Sequence, residues 1–265
     1  MTQNFNNLTN EISIIKNNLE KSSINLPSGK MLRSLTGILI IKALGISCSY
    51  EYTNFLTAIE LIHNSSLLHD DVIDNEKMRR NNQTLNTRTD NKTAILYGNL
   101  LLTDAVEYLL KTKSLNILSI TNAAIKNMCK GELLQKSQEY KIPKPEDYIN
   151  KTRLKTASLF TCMTNGISEL SQTEHQKELE NFAENFGIAF QIKNDLENSS
   201  NSDIKNGIYT APVIFSKSLS IKQEAIEKTI SLIDNYSKRA EHALEFLRDS
   251  DYKKALIGVI KCLKN

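Results

Sequence analysis

Along most of the chain, large apolar residues return every three to four positions, the repeat of a helix with one face turned inward. This spacing predicts helices over 8–20, 30–44, 52–75, 92–112, 115–139, 145–170, 174–198, 209–219, 222–247 and 251–263. Pro27-Ser28-Gly29 breaks the chain between the first two, and Gly45 stops the second. Pro143 and Pro145 mark a loop, and Pro145 suits the first turn of the helix that follows. The stretch leading up to Asp70 is apolar enough to be buried on most sides. No strand-like alternation of useful length and no internal repeat appears. The pattern therefore predicts an all-α, single-domain helical bundle over residues 1–265 with a buried central layer.

Composition sharpens this picture. With 40% hydrophobic residues, 265 residues can bury a real core, and 9 Gly and 4 Pro are too few for the many turns of an all-β protein. A formal net charge of +3, spread along the chain, excludes a nucleic-acid-binding surface as the main function. Cys48, Cys129, Cys162 and Cys262 form neither a CxxC pair nor a Cys/His cluster, which predicts free thiols in a reducing compartment. The N-terminal residues lack a basic start followed by an apolar run, and the most apolar stretch, 35–46, contains Lys42 and is too short to span a bilayer. A soluble, cytoplasmic protein without a transmembrane segment is expected.

One sequence carries the chemistry: His69-Asp70-Asp71-Val72-Ile73-Asp74. On a helix Asp70 and Asp74 lie one turn apart on the same face, with Asp71 beside them. Three acids at the end of an apolar helix repel one another and sit at the negative end of its dipole. A solvated acidic helix end would be the bland explanation, but a bound cation relieves the repulsion, and carboxylate oxygens select a hard ion such as Mg²⁺ over one that prefers nitrogen or sulfur. Arg79-Arg80 follows directly. In isolation that pair would be a surface partner for the acids. Beside a metal site it supplies the guanidinium forks that a diphosphate requires.

These elements resemble the trans-isoprenyl diphosphate synthases, or polyprenyl synthetases, over nearly the whole chain. Gly29-Lys30-Met31-Leu32-Arg33 matches the GKxxRP element, with Ser34 in place of the proline. Glu60-Leu61-Ile62-His63 and Ser66 to Asp74 match the first aspartate-rich motif and its approach, and Arg79-Arg80 the arginine pair after it. Gly131-Glu132-Leu133-Leu134-Gln135 matches GExLQ, Lys155-Thr156-Ala157-Ser158-Leu159-Phe160 matches KTAxLF, and Phe186 to Ile192 the run before the second aspartate-rich motif. The resemblance implies a Mg²⁺-dependent prenyltransferase acting on isopentenyl diphosphate and an allylic isoprenyl diphosphate. Asp70, Asp71, Asp74 and Asp195 would hold metal. Arg79, Lys155 and Gln191 would contact the allylic substrate, with Lys155, Thr156 and Gln191 beside the developing cation. Lys30, Arg33, His63 and Arg80 would bind isopentenyl diphosphate. Asp70, Asp74, Lys155 and Gln191 would be the catalytic set. Read without the family, Lys30 and Arg33 are a basic helix start, His63 a core histidine, and Lys155 and Gln191 surface or packing residues.

The sequence also departs from the family. The second motif reads Asn194-Asp195-Leu196-Glu197-Asn198, so one acid survives in register. Ser202 to Pro212 resembles SDLREGKxTLP, but Ile208 stands where the lysine belongs, and Asn99 replaces the aspartate of a common GD pair. Three functions follow as alternatives: an elongating prenyltransferase, a terpene synthase-like enzyme using one allylic diphosphate, or a helper subunit of a heteromeric prenyl synthase. The family implies a homodimer, with a heterodimer as the variant. Ser65 and Ser66, a turn ahead of the acids, would form the floor beneath the growing chain, and two small residues there predict a product of C20 or longer.

Overall fold

The computed structural model describes residues 2–24, 26, 29–197, 204 and 206–264, with the backbone alone for 2–7. They fall into two compact units, Met1–Ser119 and Ile120–Asn265, with the boundary inside one helix. Apart from one short hairpin, the regular structure of the described residues is helical, as the apolar period requires.

In the first unit, α1 covers Thr2–Glu20, α2 Leu32–Ala43, α3 Tyr50–Ile73, α4 Leu85–Arg88 and α5 Asn91–Leu110. Gly45 stops α2 as the sequence predicts. It adopts φ +76°, and the Gly45 and Ile46 N–H groups close back on Lys42 O and Ile41 O at 3.0 and 3.1 Å. The core lies between α2 and α3, where Ile38, Ile40, Ile41, Phe55, Leu56, Ile59 and Leu61 are fully buried. The other side of α3 packs along α5. That double burial explains why α3 carries apolar residues around most of its circumference.

Between α3 and α5, where the apolar period predicts no helix, the structure has a short hairpin. Strands β1, Met78–Arg79, and β2, Asn82–Gln83, pair antiparallel. The turn residues Arg80 and Asn81 have φ +50° and +64°, so both central positions are left-handed, the geometry that matches strand twist in a two-residue hairpin. Two-residue strands are too short to leave an alternation in the sequence.

In the second unit α6, Leu115–Ser137, is followed by α7, Pro145–Thr152, a five-residue π-helical turn, Arg153–Ala157, and α8, Ser158–Ser171. The single helix expected over 145–170 thus contains a widened turn. Helices α9, Gln176–Glu197, α10, Ala211–Ser216, α11, Gln223–His242, and α12, Asp251–Lys261, complete the unit. Helix α10 is shorter than its predicted span because Lys217 turns left-handed at φ +49°. Phe160 of α8 meets Phe186 and Phe190 of α9 edge-on at 5.3 and 5.9 Å, forming an aromatic core with Phe182. No described helix is long and apolar enough to cross a membrane.

Candidate active site

The acidic cluster sits where α3 ends. Asn75 takes φ +53°, and the Glu76 and Asn75 N–H groups bond to Asp71 O and Val72 O at 2.9 and 3.3 Å. This closure keeps Asp74 helical enough to share a face with Asp70, and both side chains are half-buried. Asp71 points elsewhere. Its carboxylate is buried, and its Oδ1 accepts from Arg79 Nε and Nη2, each at 2.7 Å. The arginine lies on β1, so the hairpin folds a cation back onto an acid that the helix dipole would otherwise disfavour. Asp70 and Asp74 form a donor pair that fits a hard divalent cation, because Mg²⁺ commonly takes one or two carboxylates and fills its remaining positions with water and phosphate oxygens. Among the described residues no group of three or more acids, histidines or cysteines converges as a metal site. Asp71 therefore stands with Arg79, outside the pair.

A basic cluster lies in the same unit. Arg33, at the start of α2, is buried, and burial pushes its guanidinium down to about 10 despite the attraction of Glu60. His63, half-buried on α3, is held well below its ordinary 6.5 by burial first and then by Arg33, Arg80 and Arg79. It is a neutral imidazole surrounded by guanidinium groups. Arg80 lies against Gly29, its Nη1 2.5 Å from where a Cβ would stand, so the GK element makes room for the hairpin arginine. Lys30 is exposed beside them. The structure thus brings Arg33, His63, Arg79 and Arg80 into one electrostatic neighbourhood. Pro27 and Ser28 lie outside the described residues.

Beneath this cluster is a contact that motif reading missed. Ser34 donates to Glu60 Oε1 through both its N–H, at 3.0 Å, and its hydroxyl, at 2.9 Å, and both residues are buried. The family's proline at this position has no N–H to give. Ser65 and Ser66 separate in role. Ser65 is buried and donates to Gly98 O of α5 at 2.8 Å, whereas Ser66 is half-buried and donates to His63 O at 2.8 Å. Ser65 belongs to the α3–α5 contact.

In the second unit Lys155 and Thr156 stand on the π turn. Such turns insert one residue into a helix and recur at functional sites. Two glycines admit it. A Cβ on Gly131 would lie 2.6 Å from Lys155 N, and one on Gly187 would lie 2.7 Å from Ala157 Cα. Lys155 Nζ is ion-paired to Glu132, which in turn accepts from Gln135 at 3.2 Å, so GExLQ is the element that grips Lys155. Thr156 Oγ1 donates to Gln191 Oε1 at 2.9 Å, Gln191 Nε2 donates to Asp195 Oδ1 at 2.6 Å, and Tyr148 OH donates to Asp195 Oδ2 at 2.6 Å. Burial, and then the Asp195 carboxylate, hold the Tyr148 phenol well above its ordinary 10.0. Tyr148 belongs to none of the motifs, and the partner of its hydroxyl reveals its place here. Asn198, Ser202, Asp203 and Lys205 lie outside the described residues.

The polyprenyl synthetase family model matches residues 17–247, and the chain belongs to that family. It is 33% identical over 178 residues to Solanesyl diphosphate synthase 1, chloroplastic, of Arabidopsis thaliana, a match covering 62% of this chain and 44% of that protein. The chain therefore spans less than half the length of that relative. It is 30% identical over 273 residues to a prenyl transferase of Cyanophora paradoxa, covering 88% and 84% of the two chains. Among solved structures it is similar to heptaprenyl diphosphate synthase from Staphylococcus aureus, with a TM-score of 0.85 at 25% identity over 97% and 98% of the chains. The all-α architecture read from the apolar period is that of these structures.

Proposed function

We propose that this chain is a prenyltransferase that condenses isopentenyl diphosphate with an allylic isoprenyl diphosphate, using Mg²⁺. The observation that carries the reading is the Asp70/Asp74 pair at the end of α3 in the same unit as the Arg33, His63, Arg79 and Arg80 cluster. Carboxylates alone would repel a diphosphate, and basic groups alone would hold one without a metal. Bound Mg²⁺ would supply charge neutralisation on the leaving diphosphate. Asp70 and Asp74 would hold that ion, while the family resemblance assigns Arg79 and Lys155 to the allylic diphosphate. Lys30, Arg33, His63 and Arg80 bind isopentenyl diphosphate. The allylic C–O bond breaks, the isopentenyl double bond forms the new C–C bond, and a proton leaves with the departing diphosphate. The oxygens of Thr156 and Gln191 stabilise the positive charge that develops meanwhile.

Half-buried Ser66, on the Asp70 face of α3, is the residue assigned to the floor under the growing chain. A small floor, together with relatives named for solanesyl and heptaprenyl products, supports a product of C20 or longer. The proposed assembly is a homodimer.

The test is incubation of purified protein with Mg²⁺, isopentenyl diphosphate and each allylic diphosphate, with products separated by chain length. Elongated diphosphates are expected. Hydrocarbons or alcohols formed without isopentenyl diphosphate would establish the terpene synthase-like alternative, and product only after adding a second chain the helper-subunit alternative. Asp70→Asn and Asp74→Asn should each lower turnover by about 10–100-fold, the usual cost of a metal-shell residue.

A further inference from the structure

We infer that Asp195, the surviving acid of the second aspartate-rich segment, is a positioning residue for Gln191 and holds no metal. The inference rests on the prenyltransferase reading and concerns how that site is kept in order. Both carboxylate oxygens of Asp195 are taken by neutral donors at 2.6 Å, Gln191 Nε2 on one side and Tyr148 OH on the other. The groups that a metal would need beside it are of the wrong kind. Asn194 is an amide, and Glu197 pairs with Lys193 at 3.3 Å.

The chemistry of an amide makes this contact directional. A carboxylate only accepts, so it draws the Gln191 NH₂ toward itself and turns the amide oxygen away. That oxygen then meets the Thr156 hydroxyl at 2.9 Å on the π turn. Tyr148 anchors the other end, with its ring buried in α7 and the Lys151 ammonium 4.9 Å above it. With Asp195 in place the amide has one orientation. With an amide at 195 a donor or an acceptor can face Gln191, the orientation is lost, and the oxygen no longer points steadily toward Thr156. The step affected is cation stabilisation after binding, so kcat should fall while the KM values hold.

The experiment compares wild type, Asp195→Asn, Asp70→Asn, Gln191→Leu and the Asp195→Asn/Gln191→Leu double variant. Mn²⁺ binding is titrated by electron paramagnetic resonance with inorganic diphosphate as the probe, beside steady-state kinetics. Asp195→Asn should keep Mn²⁺ affinity within about twofold of wild type, whereas Asp70→Asn should weaken it about tenfold or more. Asp195→Asn should lower kcat about tenfold or more with both KM values changed far less, and its loss should not add to that of Gln191→Leu, since the two side chains act as one unit. Mn²⁺ affinity weakened about tenfold by Asp195→Asn would overturn the inference, as would unchanged kcat or additive losses. Absence of wild-type turnover would sink the functional reading alone. The Mn²⁺ titration would then decide this one, with the Gln191 side-chain amide protons, which should exchange slowly in wild type and rapidly in Asp195→Asn.

Discussion

His63 shows how a single residue can be set by charges it never touches through sequence. The guanidinium groups of Arg33, Arg79 and Arg80 come from α2 and the hairpin, and together with burial they hold the imidazole neutral. The unfolded chain protonates this histidine near its ordinary 6.5, while the folded chain does so only at lower pH. Between those two values the unfolded state binds more protons, so stability falls as pH drops below about 6.5 and levels off under the folded value. His63→Gln should flatten that part of the curve when urea midpoints are measured across pH. A slope unchanged in the variant would show that other groups carry the dependence. Ser34 gives a second prediction at this scale. Restoring the family's proline by Ser34→Pro removes both donors from buried Glu60. It should destabilise the protein by about 1–3 kcal/mol in urea unfolding, the cost of leaving a buried acceptor unmet. A consensus substitution here is expected to harm, because Ser34 and Glu60 form a local pair.

Among the elements, the π turn explains what the motif spacing alone left open. KTAxLF, GExLQ and the glycine of Phe186 to Ile192 are distant in sequence, yet they meet at Arg153–Ala157. Gly131→Ala and Gly187→Ala place a methyl against backbone N and Cα atoms, which cannot swing aside as a flexible side-chain end can. Each should cost about 1–3 kcal/mol in denaturant unfolding, and Gly131→Ala should also lower turnover by shifting Lys155. Stability within experimental error of wild type for both would mean that the turn relaxes. The helices and their stops were legible because apolar spacing, Gly45 and Pro145 act locally. Asp70 and Asp74 were legible as a pair because helical geometry alone puts them on one face. The hairpin was not, since Arg80 and Asn81 lack the glycine that usually announces such a turn. Nor were the separate partners of Asp71 and Asp195, because an arginine eight residues on and a tyrosine 47 residues back reach them only through folding.

At the scale of the molecule, the face of α5 turned away from α3 is the feature that asks for a partner. Ala94, Gly98, Leu101, Ala105 and Leu109 are buried along one side of this 20-residue helix. Ile95, Leu96, Leu100, Val106 and Leu110 line the other and remain 42%, 63%, 45%, 45% and 58% exposed. On a helical wheel they fall within one arc, shared with exposed Asn99, Thr103 and Glu107, and a helix of this length carries that arc over about 30 Å. Exposed apolar surface gathered on one helix face in this way marks an association surface. A second copy of the same helix offers the same apolar stripe, and a two-fold axis would bring like against like, the commonest closed arrangement. Light scattering should therefore give a mass near twice 30.0 kDa. Leu96→Glu with Leu100→Glu should shift it toward one chain at micromolar concentration while the far-ultraviolet helical signal is retained, because neither side chain is part of the buried face. A wild-type mass of a single chain would refute the homodimer, and an intact dimer in the double variant would move the interface off α5.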